Sequence, residues 1–440
     1  MDGEPTAARR VPFLGRLVDV REGEAGALLR AFAYFFTLLY GYYLLRPVRE
    51  EMGIRGDPTK LHWVFTATFV VMLGAVPLYS ALVARVPRRR AVPWVYRFFV
   101  LHLLVFWALV RAGVAPEWVA RAFFVWVSVY NLFVVSVFWS LLADLFTSAQ
   151  GKRLFGFVAA GGTAGALLGS ATVAWLAGRL GVASLVLLSA AFLELAARSA
   201  TGLARWARRA PAGGEAAPRR EEGALGGSAW SGFGAVVRSP YLLGIGGQIL
   251  LFSLGSTFLY FNLARTVAAA FPDPASRAAL FAKVDLAVNL VALATQSLAT
   301  GRIVAALGLG GALASVPALT ALGFGVAAAF PGFWTLGVFQ TVRRGLHFAV
   351  DRPSREVLFT VVAPEDKYKA KSFVDTFVYR GGDTLAGWLH AGLAGLGLAL
   401  PALSLAAIPF AAASFVLALW LARRERALEG AAADAPAARR

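Results

Sequence analysis

The sequence predicts an all-α membrane protein of about twelve transmembrane helices arranged in two six-helix halves. Three observations predict it. The 440-residue chain is 58% hydrophobic and 15% charged, with a mean hydropathy of +0.64, whereas soluble domains carry charge on roughly a quarter of their residues. Apolar runs of about 20 residues, long enough to cross a bilayer core as helix, recur along it. The longest internal polar segment, "RWARRAPAGGEAAPRREEGALGGSAWSG", falls between the sixth and seventh runs and reads as a flexible linker.

In order, residues 1–26 are polar and charged and lack the features of a cleaved signal peptide. Spans are expected near 27–51, 61–84, 91–112, 118–146, 154–178 and 181–205, a first bundle over 27–205. The linker covers 206–239. Spans near 240–266, 278–300, 303–330, 333–360, 371–397 and 400–422 make the second bundle, 240–422, and 423–440 is a tail. Basic residues gather in alternate loops, "RVPRRR", "TSAQGKR", the linker, "TGR", "PEDKYKAK" and "RRER". The opposite loops, "GRLG", "FPDPAS", "PG" and "LGLALP", are nearly uncharged. That asymmetry places both termini and the linker in the cytoplasm. It also explains the net charge of +18 without nucleic acid. Two six-helix halves joined by a cytoplasmic linker is the plan of major facilitator transporters, whose site is expected near mid-membrane between the halves.

Charge inside a span is costly, so each instance is a candidate for function. On the first span, Tyr42, Arg46 and Arg49 share a face, Glu50 is spaced to pair with Arg46, and Gly41 and Pro47 bracket a bend. Gly161, Gly165 and Gly169 recur every fourth residue in the fifth span and predict close helix packing. The eighth span carries Asp285, Asn289 and Gln296. The tenth carries Arg343, Arg344 and His347 near its middle, then Asp351, Arg355 and Glu356. The eleventh carries Arg380 and Asp383, three residues apart. Guanidinium stays charged and grips phosphate bidentately, so this set suits an anion bearing phosphates.

Other chemistries lack support. His62, His102, His347 and His390 show no metal-binding spacing, and neither a phosphate-binding Walker loop nor a GxSxG elbow occurs. No cysteine is present. The expectation is a protein without cofactor, metal or enzymatic activity, monomeric in the lipid bilayer.

Three blocks resemble the ATP:ADP antiporters, the nucleotide transporters of plastids and intracellular bacteria. They are "YYLLRPVREEMG", "FWSLLADLFTSAQGKRLFGFVAAGGTAG" and "DRPSREVLFTVVAPEDKYKAKSFVDTFVYRGGD". The resemblance implies a nucleotide carrier working by exchange or with protons. It puts Arg46, Arg343, Arg355, Glu356, Lys371, Asp375 and Arg380 on charged family positions. Two positions depart: Asp383 stands where the exchangers carry lysine, and Asn262 where they carry glutamate. The expected solute contacts are Tyr42, Arg46, Arg49, Asn262, Arg343, Arg344 and Arg380. Coupling or gating is expected of Glu50, Asp144, Lys152, Arg153, Asp285, Asn289, Asp351, Arg355, Glu356, Lys371, Asp375 and Asp383. A carrier of a non-nucleotide organic anion, or a non-transporting protein that keeps the fold, is the alternative.

Overall fold

The computed structural model describes residue 20 and residues 24–85, 88–209 and 229–434, and every regular element among them is helical. Most of the expected N-terminal segment, most of the expected linker and residues 435–440 fall outside these. Nine of the described helices are long and apolar enough to cross a membrane. They are α1 (Ala25–Arg55), α2 (Leu61–Arg85), α3 (Arg88–Ala112), α4 (Pro116–Leu145), α5 (Ser148–Arg209), α7 (Pro240–Ala270), α8 (Pro274–Leu298), α9 (Thr300–Ala329) and α14 (Leu400–Asp434). A short α6 (Ala229–Arg238) precedes α7.

α5 is a double pass. Its 62 residues would run about 90 Å if straight, roughly twice the thickness of a whole bilayer. It turns instead at Gly181, whose φ of 73° suits a residue without Cβ. The expected loop "GRLG" is therefore a single glycine turn inside one helical run. The expected tenth and eleventh spans are each interrupted by a π-turn. The tenth is α10 (Phe333–Leu346), the turn His347–Asp351 and α11 (Arg352–Val357). The eleventh is α12 (Pro364–Phe373), the turn Val374–Val378 and α13 (Tyr379–Gly395). With these two runs, the described helices make twelve passes.

The chain forms two compact units. Unit 1 takes in Met1–Met52, Gly74–Gly223 and Pro274–Lys283, and unit 2 takes in Gly53–Leu73, Ala224–Asp273 and Val284–Arg440. This partition differs from the expected bundles at two segments. The start of α2 groups with unit 2, where Trp388 donates to Thr66 Oγ1 at 3.1 Å. The first turns of α8 group with unit 1, where Arg277 reaches Glu51 at 3.1 Å.

In unit 1 the glycine stripe does what its spacing predicts. A Cβ added at Gly161 would stand 2.7 Å from the Phe32 carbonyl oxygen, and one at Gly169 would stand 2.7 Å from that of Tyr40. A Cβ at Gly165 would collide with the carbonyl of Phe36. α5 thus rests on the bare backbone of α1. Beside this seam, Phe35 stacks on Phe138 with centroids 4.1 Å apart, and the buried Tyr96 hydroxyl bonds Tyr34 and the Val134 carbonyl. In unit 2, α7 is the central helix, with α13 and α14 packed on it and α9 packed on α14. Ser239 caps α7 by accepting from the Leu242 amide, and Pro240 opens its first turn.

Candidate functional site

Unit 2 gathers most of the candidate charges. Gly345 lets α10 close on α8, since a Cβ there would stand 2.5 Å from Val291 Cγ1. The next residue back, Arg344, then reaches Asp285, with Nη1 2.9 Å from Oδ1 and both side chains largely buried. Gly382 plays the same part between α13 and α7. A Cβ on it would stand 3.0 Å from Ser253 Cβ, and Asp383 beside it takes bonds from two α7 hydroxyls. Ser253 Oγ is 2.6 Å and Thr257 Oγ1 2.9 Å from Asp383 Oδ1, while Arg380 Nη1 is 3.4 Å from Oδ2. The Arg380 contact is the weaker one by geometry.

Arg343 is the largest fully buried side chain, 1% exposed. Its Nε donates to Thr320 Oγ1 at 2.9 Å, its Nη2 to the Phe252 carbonyl at 3.2 Å, and its guanidinium carbon stands 4.6 Å from the Phe252 ring centroid. All of these partners are neutral. Among the described residues Arg343 has no ion-pair partner, and its Nη1 is buried without a hydrogen bond. An interior cation whose direct partners are all neutral, with the Asp351 carboxylate acting on it only through space, is an expensive arrangement.

The other candidates in unit 2 fall into two sets. His347 Nδ1 is 2.9 Å from Asp351 Oδ2 across the first π-turn, and both residues are buried. Lys371 bonds Glu356, and Asp375 on the second π-turn feels Arg355. The geometry removes Asn262 from any exposed solute surface. It is 0% exposed, donates to Ser404 Oγ at 3.2 Å and accepts from His390 Nε2 at 3.0 Å, so it ties α7 to α13 and α14. Asn289 is half-buried one turn after Asp285, and its Nδ2 has no partner among the described residues.

In unit 1 the expected pairing of Arg46 with Glu50 is not what forms. Arg49 stacks over the Phe124 ring at 4.0 Å, and this brings its Nη1 3.2 Å from Glu50 Oε1. Arg46 instead points its Nη1 at the Tyr43 hydroxyl, 3.4 Å away. Tyr42 packs edge-on to Tyr43 and tilted to Tyr130, which occupies its ring. Arg153 forms a two-pronged pair with Glu24, at 2.9 and 3.2 Å. Arg153 and Lys371 therefore each meet a carboxylate within their own unit. Asp144 is half-buried near the end of α4, and the Lys152 side chain lies outside the described residues.

The sequence reading missed Glu24, Glu51, Arg277, Ser253, Thr257 and Thr320. Ser253 and Thr257 carried a legible signal, two hydroxyls four residues apart on an apolar helix. The others are specified only by tertiary pairing.

No family profile matches the chain, and no curated protein matches it in sequence. Solved structures do match in fold. The nucleoside transporter NupG aligns with a TM-score of 0.59 at 14% identity, covering 90% of this chain and 98% of that one. PepTSo, a POT family transporter, gives 0.59 at 13% identity, covering 92% and 98%. The human organic anion transporter MFSD10 gives 0.57 at 15% identity, covering 90% and 100%. The chain therefore has a major-facilitator-like fold and is a multi-pass helical membrane protein.

Proposed function

We propose that this protein is a membrane transporter of an anionic, phosphorylated solute, a nucleotide such as ATP or ADP, working by alternating access. The observation that carries the reading is Arg343, an interior guanidinium held by a hydroxyl, a carbonyl and a ring but by no carboxylate. A fold does not keep such a charge for stability. An anion that reaches this region adds the counter-charge that Arg343 lacks among its direct contacts. Arg344 and Arg380 are the contacts able to exchange Asp285 and Asp383 for a phosphate oxygen, with Asn289, one turn after Asp285, as a further donor. Tyr42, Arg46 and Arg49 are the corresponding groups of unit 1. Arg343 tunes the site from behind, and Asn262 holds the helices that carry it. Lys371–Glu356 and Arg153–Glu24 serve as latches, with Asp144, Lys152, Arg355 and Asp375 nearby in sequence. The protein works as a monomer in a bacterial cytoplasmic membrane with both termini inside, and has no catalytic role.

The resemblance to ATP:ADP antiporters supports a nucleotide. Asp383 and Asn262, where those exchangers carry lysine and glutamate, support the second reading, a non-nucleotide organic anion. Uptake into proteoliposomes tests both. Labelled ATP, ADP and inorganic phosphate are offered with and without internal counter-solute, beside a panel of organic anions. Accumulation that depends on internal nucleotide is the expected result. Flux of organic anions alone selects the second reading, and absence of all flux by folded protein refutes transport.

A further inference from the structure

We propose that His347 and Asp351 form a proton-binding site that is filled together with the anion, so that the protein couples solute movement to protons. The proposal rests on the reading of unit 2 as an anion site and adds the coupling ion to it.

Among the ion pairs of unit 2 described above, this is the one that contains an imidazole, the side chain whose ordinary titration lies nearest neutral pH. Nδ1 and the carboxylate are already 2.9 Å apart, so a proton from water that lands on the imidazole turns a bond between a neutral ring and a carboxylate into an ion pair without rebuilding the site. The surroundings are charged mainly on one run of chain. Asp351, Arg343 and Arg355 act on His347 electrostatically, and Tyr379 of α13 is coupled to the same two arginines. α7 presents the Phe252 ring, while α8 and α9 present the neutral Gln296 and Thr300.

Two features link the proton to the anion. The Phe252 ring is shared: His347 stacks on it at 4.2 Å, and the Arg343 guanidinium sits 4.6 Å from the same centroid. A charged imidazole would place two cations on one aromatic ring, with a third at Arg355. An anion among them relieves the repulsion, so anion favours proton and, by linkage, proton favours anion to the same degree. The second feature is the backbone. A π-turn shifts the carbonyl register by one residue. Two carbonyls within it are held from outside, Phe348 by Gln296 Nε2 at 3.1 Å and Ala349 by Thr300 Oγ1 at 2.9 Å. The pair therefore sits on a segment with a second register available, a means of passing its charge state to α8 and α9.

The test uses the full-length protein in detergent with isotope-labelled histidine, followed by NMR. The chain has four histidines, and His347→Gln identifies the signal. The His347 signal should titrate between about pH 5 and 8. Its midpoint should fall by a unit or more in Asp351→Asn and rise in Arg343→Gln. A signal that keeps its neutral position across that range in the parent protein overturns the site. A midpoint indifferent to both substitutions overturns the coupling. In proteoliposomes, uptake of ATP or phosphate should alkalinise the outer medium, and His347→Gln should abolish the pH change. Flux with no proton movement defeats the coupling and leaves transport standing. Absence of all anion flux beside an intact His347 titration defeats the transport reading and leaves the proton site standing.

Discussion

Replacing Asp285 by Asn should weaken the empty protein and tighten its hold on an anion. Arg344 Nη1 and Asp285 Oδ1 are 2.9 Å apart, and both side chains are mostly shielded from solvent. At an effective dielectric of about 20, two unit charges at that separation attract by about 6 kcal/mol. An incoming phosphate must displace that attraction before Arg344 can serve it. Breaking one partner of a buried pair typically costs about 3–5 kcal/mol of stability. If a quarter of the freed attraction reaches the solute, about 1.4 kcal/mol, affinity rises about tenfold. The assay is thermal unfolding in detergent across an ATP titration at two salt concentrations, with inorganic phosphate as the second probe. The expected pattern is a lower transition for Asp285→Asn without ligand and a larger ligand-induced rise than in the parent. Asp285→Asn with Arg344→Gln should recover much of the unliganded stability and lose the response. A folded Asp285→Asn protein that is as stable as the parent and binds neither probe more tightly would refute the argument.

Three further outcomes are expected. Gly165→Ala should destabilise by about 1–3 kcal/mol, because its new Cβ meets the α1 backbone, whereas Gly156→Ala, with open space around it, should stabilise by up to about 1 kcal/mol; thermal unfolding compares them directly. Glu51→Gln and Arg277→Gln should each cost about 3–5 kcal/mol and the double variant clearly less than their sum, read as a double-mutant cycle in detergent. At Asp57, slight burial raises the carboxyl pKa but bonds from Thr59 outweigh it and hold it below the ordinary carboxylate range; the turn's extra stability is therefore present above the ordinary value and lost as pH falls through the folded one. Hydrogen exchange at Thr59 should speed up on acidification, and Asp57→Asn should remove that dependence.

Much of the fold could be read because its causes are local or compositional. Apolar runs of bilayer length and the basic loops gave twelve passes, and the four-residue spacing of Gly161, Gly165 and Gly169 gave a helix contact that the backbone distances support. The interruptions were not legible. Nothing in "LHFAVD" or "FVDTFVY" distinguishes a π-turn from an α-helix, and the carbonyls of the first turn are held by donors distant in sequence, Gln296 and Thr300. Pairing was legible only within about one turn. The Arg380–Asp383 spacing was sound, but Arg46 and Glu50 were separated because Phe124, on another helix, holds Arg49 in place. Arg344 with Asp285 and Arg277 with Glu51 are choices made by packing, and spacing along the chain carries no record of them.

The seam between α1 and α5 has a mechanical consequence. Where side chains intervene, two helices slide by changing rotamers; where Gly161, Gly165 and Gly169 bring carbonyls against bare Cα atoms, no such compliance exists. A second strut, the Ser189 hydroxyl on the Gly41 carbonyl at 2.8 Å, pins the returning arm of α5 to the same helix. Both arms of α5 thus hold α1 over the turns from Phe32 to Gly41, a rigid base for the stretch that leads to Arg46 and Arg49.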